Sequence, residues 1–557
     1  MLITSMPLKL KVKHFVNTTL SCVGLACIAL MGLQSACSTD GRTPVDIGNR
    51  EGILHLGNGA ELADLDPHTT TGIPENNVQI ALFEGLVAKD PKTLEIMPAV
   101  AERWEVSKDQ LTYRFYIREQ ARWSNGDDLT AQDFVWSYQR ALSPALANQY
   151  AYQLFVIKNA KAFNHGDIED FSEVAVKALD TKILEIVLEN PTPYFLSLLD
   201  HHSTFPVHTA SIKKFGDLDE RATRWTRPGN LVGNGPFTLH EWKINRILKV
   251  KKNPLYWDHE NVQLNEIHYH PIQNVVTEER MFRAGQLHKT NSLMPNKIDS
   301  YRDAKRSELK IHPYYGSYYY VFNTGKPPLD SVKVRLALSF AVDREAIVQK
   351  VMRGGELPAY ALTPASDTGY TPPKLHIFDP AKAKKLLADA GYPEGKGFPE
   401  IELLYNTQEQ HKRVAVAIQQ MWKKHLNINV AIYNQDWKVY LSSMKEGDFQ
   451  IARRGWIGDY FDPNTFLDMF VSGSGHNQAQ WANDDYDRLI SKAGKTADRS
   501  QRMAMFYEAE TLLMNEAPIL PIYIYTSKYL LADSVENWPS NIMDYVSYKQ
   551  VRLSDAE

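Results

Sequence analysis

The sequence predicts a mixed α/β fold, α+β in character, assembled from several sheets rather than one. Segments with period-two alternation, such as LTYRFYIRE (111–119) and TKILEIVLE (181–189), read as half-buried strands. Segments with helical spacing, such as HKRVAVAIQQMWKKHL (411–426), stand between strands along the whole chain, with no internal repeat and no low-complexity tract. At 557 residues, 43% hydrophobic and 23% charged, the chain holds enough apolar material for two or three domains.

The amino terminus has the layout of an export signal. Lys9, Lys11 and Lys13 precede the apolar run LSCVGLACIALMGL, which ends at QSAC and Cys37 and gives way to the polar STDGRTPVDIGNR. Its apolar part, Leu20 to Leu33, is 14 residues, shorter than the roughly 20 a spanning helix needs. A retained membrane-anchor helix is the alternative. Residues 1–36 are therefore expected to be a signal peptide and 37–50 a flexible tether. Cys22, Cys27 and Cys37 are the only cysteines. The body beyond them has none, so burial rather than disulfides must stabilise it.

GILHLGNGAELADLDPH (52–68) then reads as a strand and turn, punctuated by Gly57, Gly59 and Pro67. NNVQIALFEGLV (76–87) has helical spacing at Val78, Leu82 and Leu86. NGDDLTAQDFVWSYQRAL (125–142) supplies a turn, a Thr130 cap and an amphipathic helix. RILKVKKNP (246–254) is a strand by alternation, and SVKVRLALSFAVDREAIVQKVM (331–352) reads as one helix. DPAKAKKLLADAGY (379–392) is a helix closed by Gly391. From Ile401 to Ile432 the order strand, helix, strand predicts a βαβ unit, and FQIARRGW (449–456) is a further strand. Ligands bind such sheets outside the carboxyl ends of their strands. Asp459 lies just past one.

Composition removes several functions. The formal charge is −4, from 62 basic and 66 acidic residues interspersed along the chain, so nucleic acid is not an expected partner. His268 and His270 in HYH, and the pair His201 and His202, lack the converging third and fourth ligands a metal needs and read as structural histidines. SGSGHNQ (472–478) lacks the ending of a phosphate loop and reads as a plain loop, and no GxSxG or HExxH occurs. No catalytic residue, metal or cofactor is expected.

From about Gly52 onward the chain resembles the extracytoplasmic solute-binding proteins of the dipeptide, oligopeptide and nickel class (family 5), which serve ABC importers, and most of all its oligopeptide-binding members. The stretches that carry the resemblance are LDPHTTTGIPENNVQIALFEGL, ARWSNGDDLTAQDFVWSYQRAL, LVGNGPFTLHEWK, FNTGKPPLDSVKVRLALSFAVDRE, NQDWKVYL and ARRGWIGDY, in family order. Ser35-Ala36-Cys37 similarly resembles the end of a lipoprotein signal, with Gln34 where that pattern has an apolar or small residue, usually Leu. Lipidation at Cys37 would tether the protein to a membrane surface without spanning it.

The resemblance implies a bilobed periplasmic-binding-protein fold of the large three-segment type, hinged about an interlobe cleft. Lobe I would comprise 51–83, 209–310 and 527–557, with an additional domain at 84–208 and lobe II at 311–526. It implies a receptor for short peptides, exported to the periplasm or cell envelope and lipid-anchored. The receptor would be a monomer serving ABC permease membrane subunits and their cytoplasmic ATPases. Asp459 would hold the peptide ammonium, because a buried ammonium needs an opposite charge. Thr71, Gly72 and Ile73 on one side and Gly455, Trp456 and Ile457 on the other would pair with the ligand backbone, Pro74 ending the first ladder. Tyr150 would touch the ligand main chain and Trp437 would wall the pocket. His411 and Arg453 would receive the ligand carboxylate. A third family arginine is replaced by Met444, beside which Lys445 offers a point charge. Receptors of the same fold for murein peptide, dipeptide, haem or nickel are rival readings, the Asp459 carboxylate arguing against the last two; a hydrolase or chaperone-like protein on the scaffold is the rival of another class.

Overall fold

The computed structural model describes residues 41–365, 369–496 and 498–554. The proposed signal peptide and Cys37 lie outside them. The unit that begins at Pro44 contains every element discussed below.

Three sheets organise it, one apolar core packing on each of the first two and two on the third. In the first, the strands run in the order Ile53–Gly57, Glu266–His270, Ile247–Lys252, Phe237–Lys243. Alternation sends Leu54, Leu56, Val250, Ile267 and Tyr269 to one face, where they pack against Val78 and Leu82 of the helix Ile73–Leu82. The second sheet is antiparallel, ordered Ala101–Val106, Thr112–Ile117, Ile183–Val187, Val176–Asp180. Its core residues Phe115, Leu184 and Ile186 meet Phe134 and Tyr138 of the helix Ala131–Leu142. That helix starts at Thr130 in a capping box with Asp133.

The third sheet has six strands, ordered Leu357–Pro358, Ile519–Leu530, Leu309–Phe322, Ile451–Ile457, Ile401–Asn406, Val430–Gln435. The expected βαβ unit is present: Ile401–Asn406 and Val430–Gln435 are parallel, joined by the helix Glu409–Leu426. Period-two alternation divides the sheet between two cores. Tyr318, Tyr320, Leu403 and Ile451 face one, with Val414 and Ile418 of the helix. Tyr319, Val321, Leu404, Ala452 and Trp456 face the other. Each fully buried Leu, Ile or Phe stabilises by about 1.5–3 kcal/mol relative to exposure.

Two long strands, Leu309–Phe322 and Ile519–Leu530, run antiparallel from Leu309 opposite Leu530 to Val321 opposite Ile519. At one end Leu530 exchanges hydrogen bonds with Thr290 (2.9 and 3.0 Å) and Tyr529 enters the first core. At the other, Tyr320 and Leu520 are in a core of the third sheet. The pairing is irregular between Pro313 and Ser317 and again at Tyr318 to Tyr319, where a shifted ladder bends more readily than a regular one.

Two expectations are corrected. Residues 44–50 are not a free tether, because Pro44–Glu51 is a helix packed on the body. Pro44 opens it, Asp46 and Arg50 complement its dipole, and Gly48 and Asn49 are buried, Asn49 meeting the His288 ring at 3.1 Å. The stretch 331–352 is not one helix either. Val332–Phe340 ends, and Asp343, outside helical geometry, caps a new start by accepting from the Ala346 amide at 3.0 Å. The buried Arg344 side chain donates to the carbonyls of Ser339, Val342, His376 and Pro521 at 2.7–3.3 Å, satisfying groups the break releases.

Candidate functional site

The site is built around the strand Ile451–Ile457. On one side its whole length pairs with Leu309–Phe322. On the other, pairing with Leu403 and Leu404 stops at Ala452. The Gly458 amide donates to the Tyr315 carbonyl at 2.8 Å, so backbone groups of even-numbered residues point toward the long strand. Those of Arg453, Gly455 and Ile457 therefore point to the opposite, unpaired edge. The Tyr440 hydroxyl already donates to the Arg453 carbonyl there, which leaves Gly455 and Ile457 with an edge that no described residue pairs. Gly455 has no room for a side chain, since a Cβ would stand 2.4 Å from the Tyr525 hydroxyl.

Asp459 follows this strand. Its amide donates to Thr465 Oγ1 at 2.9 Å and its carbonyl accepts from Lys89 Nζ at 3.0 Å, which fixes the backbone from both sides. Lys89 is itself paired with Asp200 at 2.9 Å. The Asp459 carboxylate is nearly buried, its side chain 10% exposed. One oxygen accepts from Gln153 Nε2 at 2.9 Å and the other lies 3.4 Å from His201 Nε2. Among the described residues, no lysine or arginine forms an ion pair with it. Nearby Asp468 has one buried oxygen without a partner, and burial, followed by the charge of Asp459, raises its pKa well above the carboxylate range.

Aromatic rings line the approach. Tyr150 is buried with its ring 4.4 Å from His201, 4.6 Å from His476 and 6.1 Å from Trp456. Trp456 lies 4.8 Å from His476. Trp437 is half-buried and stacks on Tyr440 at 5.7 Å. It also reaches Gly72, where a Cβ would be 3.0 Å from the indole and 2.0 Å from Glu75. Segments on both sides thus meet here, and many polar atoms they bury lack partners, among them Trp437 Nε1, Trp456 Nε1, Arg453 Nε, Arg454 Nε, His476 Nε2 and His411 Nδ1. Buried polar groups without partners are costly, and a cluster of them marks a place where a polar guest and water belong.

The structure brings Asp459, Tyr150 and Trp456 together and holds Arg453 and His411 around Tyr318, at 4.7 and 5.6 Å from its ring. Arg453 donates to the Tyr525 hydroxyl (2.5 Å) and Asn406 (3.3 Å). His411 is buried, and burial, then Arg453, pushes its pKa well below the ordinary imidazole value, so it is a neutral donor or acceptor rather than a cation. Lys445 is exposed in the last turn of Trp437–Glu446, while Met444 is in the core. Thr71 to Ile73 do not form a strand. Gly72 is extended (φ −100°, ψ 148°), but Ile73 begins a helix, so Pro74 sits in its first turn, where a missing amide costs nothing, instead of ending a ladder.

His201, read from sequence as structural, stands at the carboxylate, and its neighbour His202 bonds the Thr70 carbonyl at 3.1 Å. Gln153, Lys89 and His476 also escaped sequence reading. Only the tertiary fold joins them to Asp459 and Arg454; the one local signal was a doubled histidine. His268 bonds Glu266 at 2.7 Å and His270 bonds His55 at 3.3 Å. Among the described residues no group of three or more His, Cys, Asp or Glu is arranged to hold a metal ion.

Residues 95–478 match the family described as bacterial extracellular solute-binding proteins, family 5 Middle. This chain belongs to that family. The periplasmic oligopeptide-binding protein OppA of Escherichia coli (strain K12) is 38% identical to it over 514 residues, covering 90% of this chain and 92% of that one. A structure of Haemophilus influenzae OppA in complex with RPPGFSPFR is 33% identical, with a TM-score of 0.86 over 90% of this chain and 99% of that one. The Escherichia coli murein tripeptide binding protein MppA is 36% identical, also with a TM-score of 0.86, covering 90% and 98%. Its unliganded open form, at the same identity, superposes with a TM-score of only 0.62. The family 5 chain described here therefore departs from that open arrangement, as the close approach of Gly72 to Trp437 also indicates.

Proposed function

We propose that this family 5 protein is the substrate-binding receptor of an ABC peptide importer, exported to the periplasm, that captures short peptides and delivers them to a membrane permease. The observation that carries this reading is Asp459: a nearly buried carboxylate with no lysine or arginine partner among the described residues, beyond the end of a strand whose outer edge is free of them at Gly455 and Ile457. An extended peptide adds to that edge through its backbone, which every peptide has, and its terminal ammonium supplies the missing cation. The ligand then runs antiparallel to Ile451–Ile457, toward Arg453 and His411, which receive its carboxyl end. Thr71 and Gly72 face it from the other side, Tyr150 touches its main chain, and Trp437 and Trp456 wall its side-chain pockets.

In this reading the three sheets belong to the three parts that move. Lobe I comprises 44–83, 209–310 and 527–557, the additional domain 84–208 and lobe II 311–526; the two long strands are the hinge. Lobe I begins at Pro44 because the first helix packs there. Lipidation at Cys37 holds the protein to the membrane, it works as a monomer, and it performs no chemistry on its ligand. The equal likeness to MppA favours murein peptide as a second ligand class within the same mode.

The test is calorimetry with an unblocked tripeptide and its N-acetylated form, followed by recovery of the peptide. Tight one-to-one binding of the first, loss of binding by the second and return of intact peptide support the reading. Equal retention of both overturns the ammonium site, and cleaved peptide overturns the receptor.

A further inference from the structure

Arg454 is a half-buried cation of this region that the peptide-receptor reading leaves unused. It lies on the same face of its strand as Ala452 and Trp456, the face that packs toward Tyr150 and His476. Its Nη2 meets His476 Nδ1 at 3.3 Å. Its Nε is buried with no hydrogen-bond partner, as is His476 Nε2. The guanidinium stands 5.8 Å from the Trp456 ring. Among the described residues no aspartate or glutamate forms an ion pair with it. Asp459, the acid nearest in sequence on the carboxyl side, meets Gln153 and His201 and not Arg454.

A buried guanidinium N–H without an acceptor is costly, and an anion in good geometry recovers that cost. His476 does not supply one. It is a neutral ring, kept so by burial and then by Arg454 itself. A ligand strand added at the Gly455–Ile457 edge sends alternate side chains to the face of Trp456 and Arg454, about 5 Å from their cross-strand neighbours. Arg454 is five residues before Asp459, so with the ligand's ammonium at Asp459 its guanidinium lies alongside the ligand's interior, past the first residue.

We infer that Arg454 and His476 form an anion subsite that selects peptides with an acidic side chain at an interior position. The inference rests on the peptide-receptor reading and adds a ligand class to it. A carboxylate there takes two donors from the guanidinium, the bidentate pairing that makes arginine selective for carboxylates.

The experiment is calorimetry of the full mature chain with tetraalanine, with Ala-Glu-Ala-Ala and Ala-Ala-Glu-Ala, and with the same two peptides carrying glutamine instead of glutamate. The expected result is at least one glutamate peptide binding about tenfold or more tighter than both its glutamine counterpart and tetraalanine. In Arg454→Gln that ratio falls to about one, and Arg454→Lys keeps part of it, having charge without the fork. If the native protein binds tetraalanine but shows no glutamate preference, the inference is overturned and the receptor reading stands. A preference that survives in Arg454→Gln also overturns it. Failure to bind any of the five peptides overturns the receptor reading and the inference with it. The native panel decides the matter even if a variant does not fold.

Discussion

Gln153 donates its side-chain amide to the Asp459 carboxylate at 2.9 Å across 306 residues of chain, and Ser203 in turn donates to Gln153 Oε1 at 3.1 Å. The carboxylate is thus aimed by neutral groups. Neither donor carries a charge, whereas a lysine in the place of Gln153 would form an ion pair with the carboxylate. Asp459→Asn preserves shape and removes charge. It is expected to weaken tripeptide affinity about 100-fold or more, the scale on which a buried charge pair loses one partner. Calorimetry reads this directly, and an affinity within a few-fold of the native value would sink the role.

Trp437 stands against Gly72, and Trp456 lies 6.1 Å from Tyr150 and 4.8 Å from His476, where the proposed peptide would sit. Peptide addition is therefore expected to change intrinsic tryptophan fluorescence, and Trp437→Phe to reduce the change. A sample that binds peptide calorimetrically while its emission stays constant would count against both pocket walls.

The fold was legible where pattern is local. Alternation located Thr112–Ile117, Ile183–Val187 and Ile247–Lys252, and Thr130 located its helix, whereas the long strands Leu309–Phe322 and Ile519–Leu530 were not read from the sequence. The Asp459 position was legible because strand ends locate ligands and because ARRGWIGDY resembles a family motif. What was not legible depends on partners far along the chain. The break after Phe340 is held by Arg344, whose acceptors include Pro521 and His376. The helix at Pro44 is held by Asn49 meeting His288, and the backbone of Asp459 by Lys89. Thr71 to Ile73 were misread because Pro74 suits both a strand end and a first helical turn, and only the following residues decide between them.

Arg344 tests the first of these. Burial lowers its pKa to about 9, yet it still bonds four carbonyls around the helix break. Arg344→Met leaves those acceptors unsatisfied and is expected to cost about 3–5 kcal/mol in urea denaturation. Arg344→Lys should recover little of this, because one ammonium on a flexible stem cannot span four carbonyls. A loss below about 1 kcal/mol in either variant would show that water serves the break as well.

The membrane tether makes a separate prediction. With Cys37 as the lipid site, cell fractionation of Cys37→Ala should find the protein in the soluble envelope fraction, since one anchored residue is all that holds it. Continued membrane association resistant to salt would instead favour a retained apolar helix at Leu20 to Leu33.

Buried histidines, His68, His270 and His288 among them with pKa values lowered to about 4 by burial, make stability rise with pH through the mildly acidic range, and Glu510 opposes that rise. Burial pushes its carboxyl up from 4.5 to about 7, while Tyr370 and the Thr363 amide donate to it. The folded state therefore holds a proton that the unfolded chain has already released. The resulting stabilisation is complete below about pH 4.5, is lost progressively up to about pH 7, and is gone above that. Glu75 and Glu278 are pushed to about 7 by burial as well and act in the same direction. Glu510→Gln keeps an acceptor for the Thr363 amide and can donate to the Tyr370 hydroxyl, but it does not titrate. Its unfolding free energy, measured by urea denaturation between about pH 5 and 7, should rise with pH more steeply than that of the native protein. An unchanged slope would mean that Glu510 is ionised in the folded state, and that the Tyr370 and Thr363 donors outweigh its desolvation.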